Sequence, residues 1–127
     1  MPVAVIIVDH GSRSAEGNDL ISRVAQAFAG RFARKYAIVE PAHMDLAEPS
    51  IATAFARCVA RGAGEIVLVP FFLGAGRHTT RDIPELAARA AGAWPHVRYR
   101  VAAPLGLDEV LLDLLDRRID EALRNEP

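Results

Sequence analysis

The chain has 127 residues, 51% of them apolar and 24% charged, with a formal net charge of −1. That balance is expected of a single globular domain, residues 1–127, large enough to bury its own core, and it leaves no electrostatic footprint for nucleic acid or an acidic membrane. Cys58 is the only cysteine, which excludes an intramolecular disulfide and is expected of a cytoplasmic protein. No apolar run approaches the ~20 residues of a membrane helix. Met1-Pro2-Val3 opens no signal-peptide pattern.

Val3 to Val8 is a continuous aliphatic run, rich in β-branched residues, ending in Asp-His-Gly. It reads as a parallel strand buried on both faces. Ala15 to Phe32 carries helical spacing in Leu20, Ile21, Val24, Ala27, Phe28 and Phe32, with Ser14 as N-cap. Ala37 to Met44 is a second strand, and its Pro41 favours the sheet edge. Pro49 suits the first turn of a helix that presents Ile51, Ala54, Phe55, Cys58 and Val59 and ends near Gly62 and Gly64.

Glu65 to Pro70 is the third strand, followed by the loop FFLGAGRHTTR. Asp82 reads as the N-cap of a helix from Ile83 to Ala91. Val97 to Ala102 is the fourth strand. The last helix, Leu107 to Leu123, presents Val110, Leu111, Leu114, Leu115, Ile119 and Leu123. The alternation of strand and helix predicts an α/β fold, with a four-stranded parallel sheet flanked by helices and right-handed crossovers.

In an open parallel sheet, ligands bind beyond the carboxyl ends of the strands. His10 follows the first strand, His43 ends the second and His78 lies in the loop after the third. His96 precedes the fourth strand and falls on the opposite edge. A single loop histidine is commonly a surface residue, but three at equivalent positions point to a metal site, a proton-transfer site, or both. Gly11 allows a sharp turn after His10, and Gly74 and Gly76 precede Arg77-His78 in a loop able to approach a ligand closely.

Dinucleotide and P-loop glycine motifs are absent. Asp9 holds the place that an arginine would take in an Arg-His-Gly phosphate site. Arg13, Arg77 and Arg81, with Ser12, Thr79 and Thr80, suit a substrate bearing several carboxylates. Arg13 and Arg81 read equally well as solvated charges.

These residues carry a resemblance. VDHGSR, DLAEPSI (Asp45 to Ile51), VPFFLGAGRHTTRDIPEL (Val69 to Leu86) and PLG (Pro104 to Gly106) resemble the CbiX/SirB family of small class II chelatases nearly end to end. The resemblance implies a flavodoxin-like half-domain that works as a homodimer in the cytoplasm. It implies insertion of a divalent metal into sirohydrochlorin, with Co2+, Fe2+ or Ni2+ as substrate and no organic cofactor. Neither nucleic acid nor membrane is an expected partner.

The family's catalytic histidines carry over to His10 and His78. His43 stands where related chelatases often place an acidic residue, with Glu48 as an alternative carboxylate. The implied metal ligands are therefore His10, His43 and His78. The implied substrate contacts are Ser12, Arg13, Arg77, Thr79 and Arg81, with Phe71, Phe72 and Leu73 facing the macrocycle or packing in the core. Two competing readings are a histidine-based metal-delivery protein and a tetrapyrrole-binding module without catalysis.

Overall fold

The computed structural model describes residues 2–74, 76 and 78–125, and gives only the main chain for His78 and Thr79. The strands are β1 (Val3–Asp9), β2 (Ile38–His43), β3 (Glu65–Pro70) and β4 (Arg98–Val101). The helices are α1 (Ala15–Arg31), α2 (Ile51–Ala60), α3 (Ile83–Ala91) and α4 (Glu109–Arg124). All strand pairs are parallel, in the order β2-β1-β3-β4. The expected architecture is therefore present, and Pro41 lies in an edge strand, where its missing N–H costs no ladder bond.

Local chemistry sets the helix starts. Ser14 caps α1 by accepting from the Gly17 N–H, and Ser50 caps α2 by accepting from Thr53. Two expectations need correction. Pro49 precedes the Ser50 cap and so lies outside the first turn of α2. Asp82 has α-helical angles and no side-chain cap bond, because the chain is already helical from His78. His78–Asp82 forms a π-helical turn that runs directly into α3. The Thr80 N–H and hydroxyl both bond to the Gly76 carbonyl at 2.9 Å, which closes the turn's first loop.

The two sheet faces are unequally covered. On one face α2 and α3 pack Phe55, Cys58, Ile83 and Ala87 against Ala4, Ile6, Val8, Ile66 and Leu68. Burial raises the Cys58 thiol to about 12. On the other face the buried set is Val5, Ile7, Ile21 and Ala25. Only Ile21 and Ala25 of α1 are buried, whereas Leu20, Ala27 and Phe32 of the expected stripe are exposed. No residue of α4 is buried, so the apolar face that its periodicity presents does not pack in the core.

The carboxyl edge is tied together past the last strand residues. The Met44 N–H bonds to the Asp9 carbonyl at 2.8 Å, and the Asp45 N–H bonds to the His10 carbonyl at 3.1 Å. Gly11 makes this approach possible. Its φ is 94°, and a Cβ there would lie 1.9 Å from the Asp45 carbonyl oxygen and 3.2 Å from the His43 Cβ. Gly30, in the last turn of α1, has nothing within 4 Å of such a Cβ. Gly11→Ala should therefore destabilise the fold by about 1–3 kcal/mol or more. Gly30→Ala should stabilise it by about 0.5–1 kcal/mol. Urea unfolding of the two variants checks this pair; equal effects would show that the strand exits do not depend on Gly11.

Candidate functional site at the carboxyl edge

β1 and β2 run in register, with Asp9 opposite His43. This register brings the two side chains together. His43 is 2% exposed, and its Nδ1 lies 2.6 Å from Asp9 Oδ1. A carboxylate only accepts, so Nδ1 carries the proton of this bond and Nε2 lies on the far side of the ring. His43 is the buried polar residue among those described, and its partner Asp9 is partly exposed at 19%. Asp9 was not among the expected site residues. The signal was present: two adjacent parallel strands each deliver a polar residue at their last position.

His10, by contrast, is exposed at the exit of β1. Its Nδ1 lies 3.3 Å from the Gly11 carbonyl. The main chain beneath it is fixed by the Asp45 bond, so the imidazole projects from a rigid base. The backbone of His78 opens the π-helical turn after β3, on the same side of the sheet. Turns of this type occur often at functional sites. Arg77 lies outside the described residues, as do the side chains of His78 and Thr79. Among the described residues, no three His, Cys, Asp or Glu side chains form a group able to hold a metal ion.

The remaining residues divide by what they touch. The Ser12 hydroxyl accepts from the Ser14 N–H at 3.0 Å. The Asn18 carboxamide accepts from the Ser12 N–H at 2.8 Å and donates to the Ser12 carbonyl at 2.7 Å. Ser12 thus shapes the turn between β1 and α1. Arg13 is exposed beside it. Arg81 is 66% exposed, with its Nε 3.4 Å from Glu85.

Glu48 accepts from the Thr53 hydroxyl at 2.7 Å and the Ser50 N–H at 3.1 Å. These bonds lower its carboxyl below the usual glutamate value and commit it to the start of α2. Phe71 packs on the α1 face and Phe72 on the opposite face, while Leu73 is 62% exposed.

The CbiX family model matches residues 4–122. The chain is 48% identical over 119 residues to the chloroplastic sirohydrochlorin ferrochelatase of Arabidopsis thaliana, covering 94% of this chain and 52% of that protein. It is 32% identical over 121 residues to the sirohydrochlorin cobaltochelatase of Sulfurisphaera tokodaii, covering 95% of this chain and 94% of that one. SirB from Bacillus subtilis with Fe3+ superposes with a TM-score of 0.89 at 30% identity, over 100% of this chain and 49% of that chain. The chain thus spans about half the length of the plant protein and of SirB, and nearly all of the archaeal one. A family match over residues 4–122, with relatives more than 30% identical across nearly the whole chain, places this chain in the CbiX family.

Proposed function

We propose that the chain is a chelatase that inserts a divalent metal into sirohydrochlorin, with release of two pyrrole protons. Cobalt and iron are the metals named for its relatives, and nickel is a further candidate because imidazole accepts all three. The observation that carries the reading is the carboxyl edge itself. An exposed imidazole, His10, stands on a braced strand exit, and the buried His43, bonded to Asp9, lies against the neighbouring Gly11.

Metallation needs a group that strips water from the ion and a group that receives the pyrrole protons. A neutral imidazole can do both. His10 and His78 take these roles as the catalytic pair. His43 is the third ligand or the residue that orients the site, with Asp9 holding its ring as a carboxylate holds a ligating histidine. The ion is substrate, so the ligand set must stay open enough to release it.

Arg13, Arg77 and Arg81, with Ser12 and Thr79, receive the carboxylates of the macrocycle. Two copies of the chain face each other across the tetrapyrrole as a homodimer, each a single domain. A cytoplasmic location suits the lone buried thiol of Cys58. No described helix is long and apolar enough to cross a membrane.

The test is an absorbance assay of purified protein with sirohydrochlorin and Co2+, Fe2+ or Ni2+. The expected result is metallation faster than the spontaneous background with at least one metal. Binding of the ion or macrocycle without a rate gain would overturn the chelatase reading. His10→Ala should lower the rate at least ~100-fold with the far-UV circular dichroism unchanged. A near-native rate would remove His10 from the chemistry. Asp9→Asn replaces the acceptor of His43 with an amide of the same shape and should slow metallation by roughly 10–100-fold. A full rate in that variant would leave the Asp9–His43 pair a purely structural feature.

A further inference from the structure

Leu46 differs from its neighbours on the carboxyl edge in its backbone. Its φ is 71°, and among the described residues it alone, glycines apart, lies in the left-handed region. A Cβ there crowds the following carbonyl oxygen, and glycine or asparagine fills such a position more easily. Burial does not offset the strain, because Leu46 is 48% exposed. The fold imposes the conformation from both sides. Before Leu46, the Met44 and Asp45 N–H groups bond to the carbonyls of Asp9 and His10, and the Asp45 carboxylate accepts from the Leu46 N–H at 2.8 Å. After it, the His43 N–H bonds to the Pro49 carbonyl at 2.8 Å and closes the loop 43–49. Strain held in this way collects at ligand sites. An exposed leucine gives this loop nothing that glycine would not give with less strain.

The surroundings define what the side chain meets. Leu46 lies three residues beyond the end of β2, and Leu73, also exposed, lies three residues beyond the end of β3. β1 runs between these strands, so the exit that carries His10 has a strand exit with an exposed leucine on either side. At ~4.8 Å between neighbouring strands, the exits of β2 and β3 are about 10 Å apart, a span that one flat ring system covers. Leu46 also forms, with Met44 and Ala47, the apolar part of an open hollow of about 460 Å3 that has His43 in its wall. The polar part of that wall is Asp45, Glu48 and Ser50, and each is engaged within the chain. Asp45 accepts from Leu46, Glu48 accepts from Ser50 and Thr53, and the Ser50 hydroxyl caps α2. What Leu46 itself offers a ligand is apolar contact.

We propose that Leu46 is a binding residue for the macrocycle. Its side chain packs on the carbon face of the tetrapyrrole beside His43, with Leu73 on the other flank of His10. The left-handed backbone is what holds it there. The proposal rests on the tetrapyrrole reading above and adds to it a residue that neither ligates the metal nor moves a proton.

Titration of the chain with metal-free sirohydrochlorin, followed by absorbance, tests the contact apart from metallation. Leu46→Asn keeps a residue that accepts the left-handed backbone and removes the apolar surface. It should raise the Kd at least ~10-fold, whereas Leu46→Met, which keeps apolar surface, should bind within ~3-fold of the native chain. In urea, Leu46→Gly should unfold at the native midpoint or above it. Native-like binding by Leu46→Asn would overturn the proposal. A Leu46→Gly midpoint well below the native one would also overturn it, by making Leu46 a residue of the fold. Sedimentation at the titration concentration covers the remaining occupant. An affinity lost only together with self-association would place Leu46 between two copies and overturn the macrocycle contact. A native chain that binds no sirohydrochlorin overturns both this proposal and the chelatase reading. Native binding without metallation, with the Leu46→Asn loss intact, overturns the chelatase reading alone and supports the contact.

Discussion

The site depends on the close contact of two strand exits. β1 and β2 do not simply end; main-chain bonds from Met44 and Asp45 to Asp9 and His10 extend their pairing beyond the sheet. Contact at that distance leaves no room for a Cβ at residue 11, so the glycine after His10 is a steric requirement. The same contact sets the two imidazoles apart in character. One, His43, is drawn inward onto Asp9, and the other, His10, is turned outward onto the rim. A buried ring held through Nδ1 has a defined orientation and little freedom, whereas a rim ring on a fixed backbone can meet a ligand. The chemistry proposed for this edge draws on that difference.

Much of the fold was legible because its signals were local. Val3 to Val8 is short, β-branched and continuous, as a doubly covered parallel strand must be, and Glu65 to Pro70 is a short run rich in branched residues. Ser14 begins α1 where its hydroxyl can reach the Gly17 N–H, and Pro41 marks the edge strand. Misreadings arose where a local signal met a tertiary one. Asp82 has the composition of an N-cap, but the π-helical turn upstream already supplies helical backbone, so its carboxylate has no cap bond to make. The apolar stripe of α4 has helical periodicity, but periodicity shows a face and not what lies against it, and none of its residues is buried.

The site was legible in outline through its topology. Placing His10, His43 and His78 after successive strands put them on one edge without any knowledge of distance. What topology could not convey was the register. Asp9 pairs with His43 because Ala4 aligns with Ile38, and a slip of one residue would send the two side chains to opposite faces. Glu48 shows the same limit from the other direction. It stands near the edge in sequence, yet Thr53 and Ser50 bind its carboxylate into the start of α2.

The two faces of the sheet are covered unevenly. The face under α2 and α3 is complete, and it is the face that holds the large core. The other face has one helix where the strand count calls for two, while a fourth helix of suitable length lies uncovered at the end of the chain. The linker into α4 is bonded to Leu68 and Phe72, in and just beyond β3, the strand that leads to His78. The same strand therefore carries the open face and the approach to the candidate site.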